Sequence, residues 1–106
     1  MRELQAWIAD HPGEDLALAA LASRVHMSVR HFSRVFREEV GVTPADFVEQ
    51  VRVEAARRRL EMSVESVEAI ATSCGFGTPE TMQRAFRRVV GVTPSAYRSH
   101  FHRSTA

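Results

Sequence analysis

Arg30, Ser33, Arg34 and Arg37 follow one another at intervals of three, one and three residues. Glu80, Gln83, Arg84 and Arg87 repeat those intervals 50 residues later. At about 100° per residue each set lies on one face of a helix. The opposite face is apolar: Phe32, Val35 and Phe36 in the first case, Met82, Ala85, Phe86 and Val89 in the second. These polar types suit the edges of base pairs. Arginine donates twice to guanine O6 and N7, glutamine pairs with adenine N6 and N7, and serine meets several bases. Glu80 has two readings, an acceptor for cytosine N4 or an acid favoured by the positive end of a helix. A solvated surface explains one such face well enough. Two faces with the same division of labour are harder to reach by chance.

Further cations flank these faces. Arg37, Arg87 and Arg88 sit later on their helices and are read as phosphate contacts, which position a protein without specifying sequence. His31 either touches phosphate or packs at the lobe edge. The backbone amides near Ser28 and Thr78, at the two helix starts, also suit phosphate.

The elements that must hold these faces come from a duplication. Residues 31–44 recur as residues 81–94, sharing an arginine, a phenylalanine, a second arginine and Gly-Val-Thr-Pro. Each copy therefore predicts the geometry of the other. Leu4, Trp7 and Ile8 form one face of a first helix, which His11-Pro12-Gly13 stops. Leu18, Leu21, Ala22 and Val25 mark a second. Ser28 caps a third, which Gly41 ends. Thr43-Pro44 opens a fourth helix that runs to about residue 61 and is roughly 25 Å long. Ser66, Thr78-Pro79 and Thr93-Pro94 begin three more, Gly91 closes the sixth, and Tyr97 and Phe101 belong to the last. No strand alternation interrupts this order, so the chain is expected to be all-α. It divides into a first lobe (about 1–43), a linker helix (about 44–61) and a second lobe (about 62–106). Each lobe carries a short helix, a turn and a helix with a polar stripe, which is helix-turn-helix logic.

The repeat is not in perfect register. Leu18 to Met27 match Val67 to Phe76 at an offset of 49, whereas Arg34 and Phe36 match at 50. The second turn thus holds one extra residue. His26 stands where the second copy has Gly75, at a position that favours φ > 0, so strain is expected there. Ala17 stands where the second copy has Ser66, a poor N-cap for a good one.

Composition bounds the answer further. The 106 residues suit one small domain, 44% hydrophobic and 25% charged, with a core rather than disorder. No apolar run is long enough to span a bilayer and no leader pattern is evident. Cys74 is the single cysteine, so no internal disulfide forms and a cytoplasmic setting is expected. The net charge is only +1, but its distribution is uneven. Residues 16–37 hold four arginines and no acid, and residues 81–106 hold five arginines and no acid. All 14 basic residues are arginine, which GC-rich codon usage explains as readily as a need for planar, forked donors does.

Other tempting residues carry less. His100 and His102 form an H-x-H pair, but no cysteine or acid stands beside it at zinc-site spacing, so no metal is expected. No cofactor motif is present. Cys74 falls in a helix-turn position and reads as a small buried side chain, not a nucleophile. An enzyme therefore lacks a supporting constellation.

The signature Ile70-Ala71, Cys74-Gly75-Phe76, Phe86-Arg87-Arg88, Gly91-Val92-Thr93-Pro94 and Tyr97-Arg98 resembles the AraC/XylS (arabinose-regulator) family of bacterial transcription factors. Leu21-Ala22, Met27-Ser28, His31-Phe32, Arg34 and Phe36 extend the likeness through the first unit, with Arg52 and Ala55-Ala56-Arg57 in the linker. The resemblance implies two lobes on a long helix, with both recognition helices in successive major grooves of double-stranded DNA, about 34 Å apart. By match of position it assigns base reading to Arg30, Ser33 and Arg34, then to Glu80, Thr81, Gln83 and Arg84. It also implies RNA polymerase as a partner and a regulatory domain outside these residues. A helical protein-interaction module, using Arg57-Arg58-Arg59 and nearby acids, is the alternative.

Overall fold

The computed structural model describes residues 1–105, with side chains through 102. It contains, among the described residues, seven helices and no strand. They are α1 (Arg2–Asp10), α2 (Leu18–Arg24), α3 (Val29–Val40), α4 (Pro44–Met62), α5 (Val67–Ser73), α6 (Pro79–Val90) and α7 (Pro94–Thr105). None of the described helices is long and apolar enough to cross a membrane.

Side-chain caps set most of the helix starts. Ser28 Oγ accepts from the His31 amide at 3.2 Å and Thr43 Oγ1 from Asp46 at 3.2 Å. Ser66, Thr78 and Thr93 do the same for Ala69, Thr81 and Ala96. Each bond satisfies one of the amides that a helix start leaves without a partner. The α2 start has no such bond, since Ala17 has no side-chain oxygen. Asp15 Oδ1 accepts from the Ala17 amide at 3.0 Å but leaves the amides inside α2 without a side-chain acceptor. Gly41 and Gly91, at φ 92° and 95°, close α3 and α6.

Two apolar clusters form the core. Leu4, Ile8, Leu16, Leu21, Ala22, Phe32, Phe36 and Val48 make the first. The second contains Val53, Ala55, Ala56, Leu60, Ile70, Ala71, Cys74, Met82, Ala85 and Phe86. Helix α4 contributes to both, so it closes one lobe and founds the other. The duplication is visible in the packing: Phe36 meets Phe47 at 5.6 Å, and Phe86 meets Tyr97 at 5.5 Å. Full burial of such rings is worth about 1.5–3 kcal/mol each.

Polar ties finish the second lobe. Arg98 of α7 donates to the carbonyls of Leu60 (3.2 Å), Ser63 (3.2 Å) and Glu65, taking up oxygens left open where α4 ends. The Tyr97 hydroxyl donates to Glu61 and accepts from Arg57 Nε at 3.2 Å. Some apolar residues stand further out than their spacing suggests. Val89 is 46% exposed although it continues the α6 stripe. In the last turn of α6 it is Val90, not Val89, that packs on the cluster, and the α3 counterpart of Val89, Glu39, is exposed too. Leu18 is 39% exposed. Trp7 and Phe101 are half-buried, with the Trp7 ring lying 3.5 Å from the Arg24 guanidinium and stacked on His11.

Candidate nucleic-acid interface

The turn between the paired helices aims each polar face. In the first lobe the Met27 amide bonds to the Ala22 carbonyl at 3.0 Å, and in the second Phe76 bonds to Ala71 at 2.9 Å. Between these residues the chain must pass through the left-handed region. His26 does so at φ 56° and Gly75 at φ 88°. A residue with a Cβ is strained there, so the first turn carries a cost the second avoids. Gly77, also left-handed at φ 85°, is the additional residue of the second turn.

The polar faces of α3 and α6 point outward. Arg30, Arg34, Arg37, Glu80, Thr81, Gln83, Arg84 and Arg87 are exposed, and Ser33 is half-buried. Their states differ. Arg34 Nη2 donates to His31 Nδ1 at 3.0 Å, and its Nη1 lies 3.8 Å from Glu38. Arginine is a donor only, so in this contact His31 Nδ1 is the acceptor. Arg30 and Arg37, like Glu80, Gln83, Arg84 and Arg87, have no side-chain hydrogen bond or ion pair with the described residues. Thr81 accepts from the Thr78 hydroxyl at 2.9 Å, which orients its side chain and leaves its own proton to donate.

One cleft of 1180 Å³ unites much of this surface. Its lining includes Arg30, Ser33, Arg34 and Arg37 of α3, Thr81, Arg84 and Arg88 of α6, and Glu49 and Arg52 of α4. Six arginines face three acids (Glu14, Asp15 and Glu49) in that lining, so the cleft is far more positive than the chain as a whole. Ser28, His31, Thr78, Glu80, Gln83 and Arg87 lie outside it. The molecule measures 48 × 23 × 22 Å, long enough to span one turn of duplex, about 34 Å.

The helix starts are not equivalent as anion sites. Val29 and Arg30 keep free amides beside Ser28. Pro79 has no N–H, and Glu80 adds a negative charge beside Thr78. The α3 start therefore offers an anion more free amides and less negative charge than the α6 start.

Of two residues that position this surface, Glu49 escaped the sequence reading, and Arg52 entered it only as part of the family signature, without a role. Glu49 takes a two-pronged bond from Arg88, Nε to Oε1 at 3.0 Å and Nη2 to Oε2 at 2.7 Å. That bond holds the Glu49 carboxyl below the usual range. Arg52 donates to the carbonyls of Pro12 (3.0 Å) and Glu14 (3.1 Å). Burial lowers its pKa, with Asp15 pulling the other way. These partners lie 38 to 40 residues apart, and no local spacing signals them. Cys74 is buried and its thiol is pushed up by that burial, so it is poorly suited to nucleophilic attack. No group of three or more potential metal ligands occurs among the described residues.

Comparison with known proteins adds the following. A family model described as a helix-turn-helix domain matches residues 21–100. The HTH-type transcriptional regulator Rv1931c of Mycobacterium tuberculosis is 55% identical over 84 residues, 79% of this chain and 32% of that protein. The HTH-type transcriptional activator RhaS of Escherichia fergusonii is 35% identical over 98 residues, 92% of this chain and 35% of that protein. The chain thus spans about a third of the length of these relatives. Among solved structures, the DNA-binding domain of AdpA, a global transcriptional factor in complex with a target DNA, matches with a TM-score of 0.93 and 38% identity. The match covers 97% of this chain and 93% of that one.

Proposed function

The chain belongs to the AraC family, as the tandem helix-turn-helix DNA-binding domain of a transcriptional regulator and not an enzyme, and on that footing we propose that it reads double-stranded DNA with α3 and α6 in successive major grooves. One observation carries this: a single arginine-rich cleft is lined by Arg30, Ser33, Arg34 and Arg37 of α3 and by Thr81, Arg84 and Arg88 of α6. Guanidinium groups on both helices can then approach one side of a duplex together.

Arg30, Ser33 and Arg34 read one half-site, and Glu80, Thr81, Gln83 and Arg84 the other. Arg30, Gln83 and Arg84 are the strongest specifiers, because each can make two bonds to a single base and none is engaged elsewhere. Arg37 and Arg87 neutralise phosphate, and His31, beside Arg34, adds a further contact. The amides behind Ser28 anchor a phosphate more firmly than those behind Thr78. Arg88 reaches phosphate only by sharing Glu49, so it adds less to the salt dependence than Arg87. The functional division is a first lobe of about 1–43, a linker of about 44–61 and a second lobe of about 62–106. AdpA, in complex with its target DNA, supports this reading.

Selection of bound duplexes from a random pool tests it. The expected product is two short conserved boxes with centres about one helical turn apart. A single box, or none, defeats the two-groove reading. A salt titration adds a second check: Arg87→Ala lowers the slope of log K against log salt by about 1, and Arg88→Ala by less. Two partners beyond DNA follow from the same reading. One is RNA polymerase, since RhaS is an activator. The other is a regulatory domain, since the relatives are about two and a half times as long as this chain.

A further inference from the structure

We propose that Arg52, with Gly13 and Gly75 packed around it, is a strut between the lobes that fixes the distance and angle between α3 and α6, and so selects the spacing of half-sites the domain accepts. The proposal rests on the two-groove reading above.

A continuous helix such as α4 sets an approximate separation, but long helices bend at little cost. Something must hold the lobes against that bending. The loop after α1 belongs to the first lobe, and the turn between α5 and α6 aims the second recognition helix. These two backbones meet directly. A Cβ added at Gly75 would lie 2.3 Å from the Pro12 carbonyl oxygen and 2.7 Å from Arg52 Nε. One added at Gly13 would lie 2.5 Å from the Ser73 carbonyl oxygen. Arg52 binds the loop from the α4 side through Pro12 and Glu14. Its planar fork reaches two carbonyls at once, which a lysine cannot match. The Arg88–Glu49 pair ties α6 to α4 as well.

The two glycines answer different demands. Gly75 is left-handed at φ 88°, so the turn alone calls for glycine. Gly13 is not in the left-handed region. Its missing Cβ is required only because Ser73, 60 residues away, presses against it. A glycine kept for a contact across the seam is the mark of a fixed joint.

Arg52 touches neither base nor phosphate in this scheme and acts as a positioning residue. Its signature is therefore loss of spacing preference without loss of half-site affinity. Two measurements test it in wild type, Gly13→Ala, Arg52→Gln and the milder Arg52→Lys. The first is the distance distribution between spin labels on Ser23→Cys and Glu68→Cys in the free protein, where buried Cys74 does not compete for label. The second is affinity for duplexes carrying the selected boxes at spacings shifted by single base pairs, beside a duplex with one box.

In wild type we expect one narrow distance and about a 10²-fold loss when the boxes are moved by half a turn, because both lobes can no longer engage. The variants that melt cooperatively should show a broadened distance, a spacing penalty reduced to about tenfold or less, and unchanged single-box affinity. Folded variants that keep the narrow distance and the sharp spacing preference overturn the strut. Should Gly13→Ala and Arg52→Gln both fail to fold, Arg52→Lys decides by the same readouts. A wild type with no preferred spacing defeats the two-groove reading instead, while the label distances, measured without DNA, still judge the joint.

Discussion

The two lobes share a backbone plan but differ in how comfortably their residues fit it. The second lobe caps its short helix with Ser66, turns on Gly75 and leaves Arg84 free. The first starts its short helix from Ala17, turns on His26 at φ 56°, and holds Arg34 between His31 and Glu38. Identical topology therefore does not mean equal stability or equal readiness to bind. The second lobe is the better capped, and its Arg84 is less encumbered than the corresponding Arg34. The first carries local costs that its core and the seam with α4 must offset.

Exchanging the turn residues should break this comparison most sharply. Gly75→His places a Cβ against the Pro12 carbonyl and in a left-handed site, and is expected to cost about 3 kcal/mol or more in urea unfolding. The reverse exchange, His26→Gly, should gain about 0.5 kcal/mol, since relief of strain is partly offset by a more flexible unfolded chain. Equal losses from the two exchanges would show that the lobes do not differ at the turn.

Recognition comes next. Arg84→Ala should weaken specific binding by about 1–3 kcal/mol and relax preference at one base pair. Arg34→Ala should cost less, because that guanidinium already has donors committed to His31 and lies beside Glu38. Removing the competing acid in Glu38→Ala should raise affinity slightly, by a few tenths of a kcal/mol. Fluorescence anisotropy on the selected duplex measures all three. A larger loss from Arg34→Ala than from Arg84→Ala would reverse the ranking of the lobes.

Capping offers a smaller and cleaner contrast. Ala17→Ser should stabilise the domain by about 0.5–1 kcal/mol, and Ser66→Ala should destabilise it by about 1 kcal/mol. Thermal melts of the single and double variants test whether a cap is worth the same in each lobe.

The smallest effect is a pH dependence in the tie between α6 and α4. Arg88 holds the Glu49 carboxyl below its ordinary range. A carboxylate lowered in the folded state stabilises it above the unfolded value, about 4.3, and loses that contribution as pH falls through the folded value. The melting-temperature gap between wild type and Glu49→Gln should thus be open at pH 7 and close as pH drops below about 4. A gap that stays constant to low pH would show the pair to be unimportant to the fold.

Much of this molecule is local in origin, and that part is legible without coordinates. Capping residues, left-handed turn positions and the 3.6-residue stripe act within one or two helical turns. Ser28, Thr43, Ser66, Thr78 and Thr93 therefore announce their helices, and Phe36 and Phe86 announce the core. The left-handed turn at His26 follows from its alignment with Gly75, and Gly77 accounts for the shift in register. The outward faces of α3 and α6 follow from the same periodicity. Val89 marks the limit: a stripe states which way a side chain points, but not whether anything stands opposite it.

What the sequence determined alone is the set of helices, their caps, and the two polar faces, because those depend on neighbours three or four residues apart. The tertiary structure decided which faces share a cleft, that Arg88 is drawn to Glu49, and that Arg52 bridges to the loop after α1. It also gave Gly13 its reason, a carbonyl 60 residues distant in the chain. Such contacts depend on how whole lobes dock, and docking geometry is summed over many side chains rather than written in the spacing of any few.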